Sequence, residues 1–148
     1  MQEALKEALK AYKKEETPIG AVLVLDDKII ARGHNKRELE NSVLSHAELN
    51  VIKKANKILA SWRLEDAKLY VTLEPCPMCM GAIIQSRISE LYFGAYDKKS
   101  GACGSVLDLM QYKFNHEVKI TGGIYEEESK KLLQQFFKEL RQEKKLNN

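Results

Sequence analysis

No apolar run in this 148-residue chain approaches the roughly 18 to 20 residues that cross a bilayer, and the opening Met1-Gln2-Glu3-Ala4-Leu5-Lys6 has no signal-peptide apolar core. A cytoplasmic protein with no membrane contact is expected. Cysteine is scarce. There are three, and two of them stand three positions apart, which argues against a disulfide scaffold and for metal or redox chemistry. An excess of one charge sign is also lacking. With 24 basic and 21 acidic residues the net charge is +3, so nucleic-acid binding must be argued from where the charges lie. There is no repeat, linker or low-complexity segment. With 44% apolar residues, a chain of this length can bury roughly two-thirds of its unfolded surface, which implies a single domain over residues 1–148.

The periodicity then orders the elements. Ala4, Leu5, Ala8, Leu9, Ala11 and Tyr12 fall at helical spacing, so residues 3–16 are read as an amphipathic helix. Residues 19–25 and 28–32 flank Asp26-Asp27 and predict an antiparallel hairpin. The polar stretch 37–45 is predicted to be a loop. A helix follows from His46, with Ala47, Val51, Ile52, Ala55, Ile58 and Leu59 facing inward. Leu69 to Leu73 is a buried central strand, and a helix from Pro77 leads to a parallel strand at 91–94. Residues 95–116 are expected to be a structured loop and 119–121 an edge strand. A final helix from about Glu127 carries the stripe Leu132, Leu133, Phe136, Phe137 and Leu140, read mostly as core. Together these give a mixed sheet with helices on both faces.

The chemistry centres on Thr72-Leu73-Glu74-Pro75-Cys76-Pro77-Met78-Cys79. Prolines at a helix start put Cys76 and Cys79 on one face of the first turn, where the dipole favours thiolates. A catalytic zinc takes three protein ligands and leaves a fourth position for water, and the third candidate is His46 in Ser45-His46-Ala47-Glu48. Taken alone, that tetrapeptide also fits a capping box, with Ser45 as N-cap and Glu48 at N3. Taken alone, the thiol pair also fits a redox pair or half of a zinc ribbon. The ribbon would need a second Cys-x-x-Cys, and Cys103 stands by itself in a Gly-rich stretch. His-x-Glu followed about thirty residues later by Pro-Cys-x-x-Cys is, as a pair, the signature of zinc nucleobase deaminases. On that reading His46, Cys76 and Cys79 are the ligands and Glu48 is the general acid/base.

Further segments narrow the match: Pro18-Ile19-Gly20-Ala21-Val22, Gly33-His34-Asn35, Ser61-Trp62-Arg63-Leu64, Leu69 to Cys79, Phe93-Gly94-Ala95, Phe114-Asn115-His116 and Phe136-Phe137. Through them, from about Pro18 to Arg141, the chain resembles the bacterial tRNA-specific adenosine deaminases of the cytidine-deaminase-like superfamily. The resemblance implies a three-layer α/β/α fold with a central mixed sheet of about five strands, one zinc per subunit and a homodimer packed through its central helices. It also implies conversion of adenosine to inosine at the wobble position of a tRNA anticodon loop. By the same match Asn35 would hold the flipped nucleotide. Leu44-Ser45 and Tyr96 depart from the family's pattern beside the expected pocket.

Asp97 near RNA would have to accept a hydrogen bond, as from a ribose hydroxyl, and Phe137 could serve as a stacking platform. Cys103 is expected to be a free thiol, and His34 and His116 to be structural or RNA-contacting. Residues 130–148 hold six basic and two acidic residues, a net of +4 that exceeds the whole chain's +3, so Arg141, Lys144 and Lys145 are candidates for phosphate contact. Two rivals stand beside this reading. One is a deaminase of free guanine, cytosine or a nucleotide, and the other is a zinc-stabilised RNA-binding module without turnover.

Overall fold

A computed structural model describes all residues from Met1 to Asn148. Its elements are α1 (Gln2–Lys13), β1 (Gly20–Leu25), β2 (Lys28–His34), α2 (Arg37–Glu40), α3 (Ala47–Leu59), β3 (Lys68–Leu73), α4 (Pro77–Gln85), β4 (Glu90–Ala95), β5 (Lys119–Thr121) and α5 (Glu126–Leu146), with a 3-10 turn at Leu109–Gln111. The five strands form one sheet in the order β2-β1-β3-β4-β5. β1 pairs antiparallel with β2 and β3, while β3–β4 and β4–β5 are parallel. The β1–β2 hairpin turns at Asp26 and Asp27, both in the left-handed region, which aspartate tolerates better than most residues.

Alternation along the strands sorts the two faces. Ala21, Leu23, Leu69, Val71, Leu91 and Phe93 join Val51, Ile52 and Ala55 of α3 and Met80, Ile83 and Ile84 of α4 in a core of 19 buried residues. The opposite face takes α1 and α5, which meet where the Tyr12 and Phe136 rings pack edge to face at 5.9 Å. Contact there is close because the residues are small. Ala4, Ala8 and Ala11 of α1 are fully buried, and a Cβ at Gly20 would strike the backbone of Ala4 and Ala8. The α/β architecture with five strands therefore stands as read.

Two local readings are corrected. Residues 37–45 are not a plain loop, because Glu16, buried beneath them, accepts from the amides of Glu38 and Leu39 at 3.0 and 2.9 Å and caps the short helix α2. The α5 stripe is only partly core. Phe136 is buried, but Phe137 is 41% exposed because the helix offers the sheet a narrower face than its periodicity implies.

His34, at the end of β2, is buried against Glu7 of α1, its Nδ1 donating to Oε1 at 3.3 Å while Nε2 has no partner. Burial lowers the imidazole pKa, against the pull of Glu7. Burial, the largest influence on Glu7, pushes its carboxyl up, but hydrogen bonds from Lys10 and His34 outweigh it and hold the carboxyl low. Both groups bind protons more readily in the unfolded chain. Stability is therefore full above the unfolded His value of 6.5 and falls as the pH drops below it, by at most about 1.4 kcal/mol per pH unit from this residue. His34→Gln keeps a donor toward Glu7 and removes the titration. Urea midpoints at about pH 7 and 5.5 should show a smaller difference in the variant than in the wild type, and equal differences would remove His34 as a source of acid sensitivity.

Candidate active site

Two helix N-termini meet at the carboxyl side of β3. Cys76 is the N-cap of α4 with Pro77 in its first turn, which supplies a preset φ where no N–H is needed. His46 is the N-cap of α3 and makes no side-chain cap bond. The capping-box reading of Ser45 and Glu48 therefore fails. Ser45 Oγ is turned instead to Glu40 Oε2 at 2.8 Å and accepts from Asn50 Nδ2 at 3.1 Å, while that amide also donates to His34 O at 3.0 Å and ties α3 to the end of β2. His46 is thus free to face the thiols.

The ligand atoms of His46, Cys76 and Cys79 lie within 4.8 Å of one another. His46 Nδ1 stands 3.6 Å from Cys76 Sγ and 3.4 Å from Cys79 Sγ. Zinc bonds of about 2.3 Å to sulfur and 2.0–2.1 Å to nitrogen, set tetrahedrally, put such atoms about 3.5 Å apart, so the trio fits that ion. The electrostatics agree. Hydrogen bonding from the Cys79 thiol, and then from His46, draws the Cys76 thiol down to about 4. Cys79, buried beside that thiolate, is pushed up instead, and a cation is what would let both sulfurs be anionic.

Glu48, 4% exposed in the first turn of α3, belongs to no ligand trio. Burial pushes its carboxyl up to about 7, against the hydrogen bond of its own backbone amide, which poises it for proton exchange near neutrality. Cys103 is a free, half-buried thiol outside the cluster. Its Sγ donates to Met80 Sδ at 3.6 Å, and burial raises its pKa to about 12. His116 is structural, with Nε2 at 2.7 Å from Ile88 O.

A cleft of about 670 Å³ opens over the cluster, and His46, Glu48, Cys76, Asn35, Asp97 and Phe137 all line it. Asn35 is buried and locally tethered, Nδ2 donating to Thr17 O at 3.3 Å and Oδ1 accepting from Arg37 N at 3.1 Å. Asp97 turns its carboxylate to its own loop, Oδ1 accepting from the amides of Lys99 and Ser100 at 3.0 and 3.2 Å. Tyr96 packs edge to face on Phe93 at 5.0 Å. Arg141 is exposed and does not line the cleft; it lies one turn beyond Phe137 on α5. Lys130, counted among the basic residues of the C-terminal helix, also lines the cleft, and sequence reasoning missed three further cations there, Arg37, Lys98 and Lys99. The Lys98-Lys99 pair just after a strand was the one local signal for them.

The sequence model of the MafB19-like deaminase family matches residues 1–141. The tRNA-specific adenosine deaminase of Bacillus subtilis (strain 168) is 53% identical over 146 residues, spanning 98% of this chain and 91% of that relative. The chain belongs to the tRNA-specific adenosine deaminase family. A solved structure of the tRNA:A34 deaminases, which perform A-to-I editing at the wobble position of transfer RNA, is 44% identical. That match covers 90% of this chain and 97% of the other, with a TM-score of 0.83. A guanine deaminase of Bacillus subtilis is 30% identical over 77% of this chain and 83% of its own, with a TM-score of 0.62. This deaminase family and its free-base relative therefore share the fold.

Proposed function

We propose that the chain converts adenosine to inosine at the wobble position of a tRNA anticodon loop, with His46, Cys76 and Cys79 holding one zinc ion and Glu48 moving the protons. The observation that carries the reading is the buried Glu48 carboxyl beside the ligand trio on the floor of a cation-rimmed cleft. The near full-length likeness to tRNA-specific adenosine deaminases supports it. Zinc at such a site supplies Lewis acidity, which lets water act as a nucleophile at neutral pH. Glu48 takes one proton from the attacking water to the adenine ring nitrogen, and then carries a second, from the hydroxyl that attack leaves on C6, to the departing amine. A C–O bond forms at C6, the C–N bond breaks and ammonia leaves. Asn35, oriented by its bonds to Thr17 and Arg37, holds the nucleotide at the cleft wall. Phe137, partly exposed at the rim, offers a stacking face to an unpaired base.

No helix is long and apolar enough to cross a membrane, and a tRNA substrate supports a cytoplasmic location. A homodimer completes the reading. Leu39, Val43 and Leu44, all more than 60% exposed in one short segment, are the surface a second subunit would cover.

The deciding experiment is to incubate the purified protein with a tRNA pool and sequence for inosine at the wobble position. Efficient deamination of free guanine with unmodified tRNA would favour the free-base alternative. The rim gives a second check. Neutralising Lys98, Lys99 and Arg141 together should weaken binding of an anticodon stem-loop and flatten its salt dependence by roughly one unit of slope per lost phosphate contact, with zinc content unchanged. An unaltered slope would remove these residues from the RNA surface.

A further inference from the structure

Glu74 is a buried carboxylate to which neither metal binding nor proton transfer gives a task. It follows β3, stands two residues before Cys76, is 2% exposed and has no basic side chain among its partners. All its donors come from one segment. Oε1 accepts from Asp97 N at 3.0 Å and from the Ser105 hydroxyl, and Oε2 accepts from Cys103 N at 2.9 Å and Ser105 N at 3.2 Å. Beside them Ala102 N donates to Pro75 O at 2.8 Å. Gly101 carries the segment past the carboxylate, where a Cβ would collide with the carboxyl carbon and both oxygens. The front of the same segment, Asp97 to Ser100, is a wall of the cleft.

We infer that Glu74 is a positioning residue of the substrate cleft, locking residues 97–105 to the turn that carries Cys76 and so fixing the Asp97–Ser100 wall relative to the reacting site. The inference rests on the deaminase reading above. Apart from an isolated bridge from Cys103 to Asp108, residues 97–105 have no strand or helix pairing to hold them. Charge-assisted bonds are roughly twice as strong as neutral ones, and a buried carboxylate deprived of donors is costly, so the segment has one strongly favoured position. A wall fixed before the RNA arrives spares the ordering cost at binding and keeps the nucleotide aligned with Glu48.

Glutamine is a discriminating replacement. Its amide oxygen must face the two amides at the Oε2 side, which puts its NH2 group where Asp97 N and the Ser105 hydroxyl converge. The hydroxyl can reverse and accept, but the Asp97 amide cannot. Glu74→Gln therefore cuts the tie to the cleft wall and leaves the ties at Cys103 and Ser105.

With zinc-loaded protein and an anticodon stem-loop RNA, Glu74→Gln should raise KM about tenfold, with kcat within about twofold and one zinc per chain. Amide exchange over residues 97–100 should quicken while the rest of the chain is unchanged. Ser105→Ala, which removes one donor and keeps the carboxylate, should give the same split at about two- to threefold. A fall in kcat with KM fixed, zinc loss with unchanged exchange at 97–100, or no effect in either variant would overturn the inference. If the wild type left RNA unmodified, the deaminase reading would fail, while the exchange comparison would still decide whether Glu74 fixes this wall.

Discussion

Glu48→Gln should keep one zinc per chain and lose deamination by about a thousandfold or more, within the range removed with a general acid/base. The side chain is buried beside the ligand trio but outside it, and glutamine matches its volume, so neither a cavity nor a missing ligand follows. The change removes only the ability to take up and release a proton at a group that burial has poised at about 7. Folding stability should hold or rise, because a desolvated carboxyl is replaced by a neutral amide. Metal analysis and single-turnover deamination of an anticodon stem-loop check this together. Loss of zinc in proportion to activity would make Glu48 a ligand, and full activity with zinc retained would move the proton shuttle elsewhere.

The sequence was legible where chemistry and spacing are local. Cys76 and Cys79 share a helical turn, and the prolines around them announce where it starts, so two of the three ligands could be read from five residues. The parallel pairing of β3 and β4 followed from a helix of one crossover's length between them. Ser45-x-x-Glu48 was ambiguous because two structures satisfy the pattern. The bonds of the Ser45 hydroxyl to Glu40 and Asn50, each five residues away and outside the capping-box pattern, decided it, leaving His46 as the N-cap. The cleft wall was illegible because its contacts are distant in sequence. Glu74 meets Asp97 and Ser105 across 23 and 31 residues, and nothing in the pattern of either segment points to the other. On α5 the periodicity located the apolar stripe but not how much of it the sheet covers: Phe136 is buried, while Phe137, read as a stacking platform at the surface, is exposed. Side chains read as substrate contacts also serve the backbone. Asn35 and Asp97 each hold their own loop, and such local bonds are common for these residue types.

Cys76→Ser and Cys79→Ser should each lose both zinc and deamination, whereas Cys103→Ser should be nearly silent in both. A serine hydroxyl is a poor substitute for thiolate toward zinc, and with three protein ligands the loss of one leaves too few to hold the ion. The two losses should differ in their cost to folding. Cys79 is fully buried between the ligand cluster and the core, so its serine variant carries a desolvated hydroxyl in addition to a missing metal ligand. Cys76 is half-buried at the N-cap of α4, where serine is itself a preferred cap, and its variant should be the more stable of the two without metal. Cys103 lies against Met80, outside the trio, and its raised pKa marks a thiol that stays protonated. Zinc content by elemental analysis, thermal unfolding with and without added zinc, and wobble inosine in a tRNA pool separate the three variants. Loss of zinc from Cys103→Ser would mean four protein ligands, a closed coordination shell with no place for water, and therefore a structural zinc module in place of an enzyme.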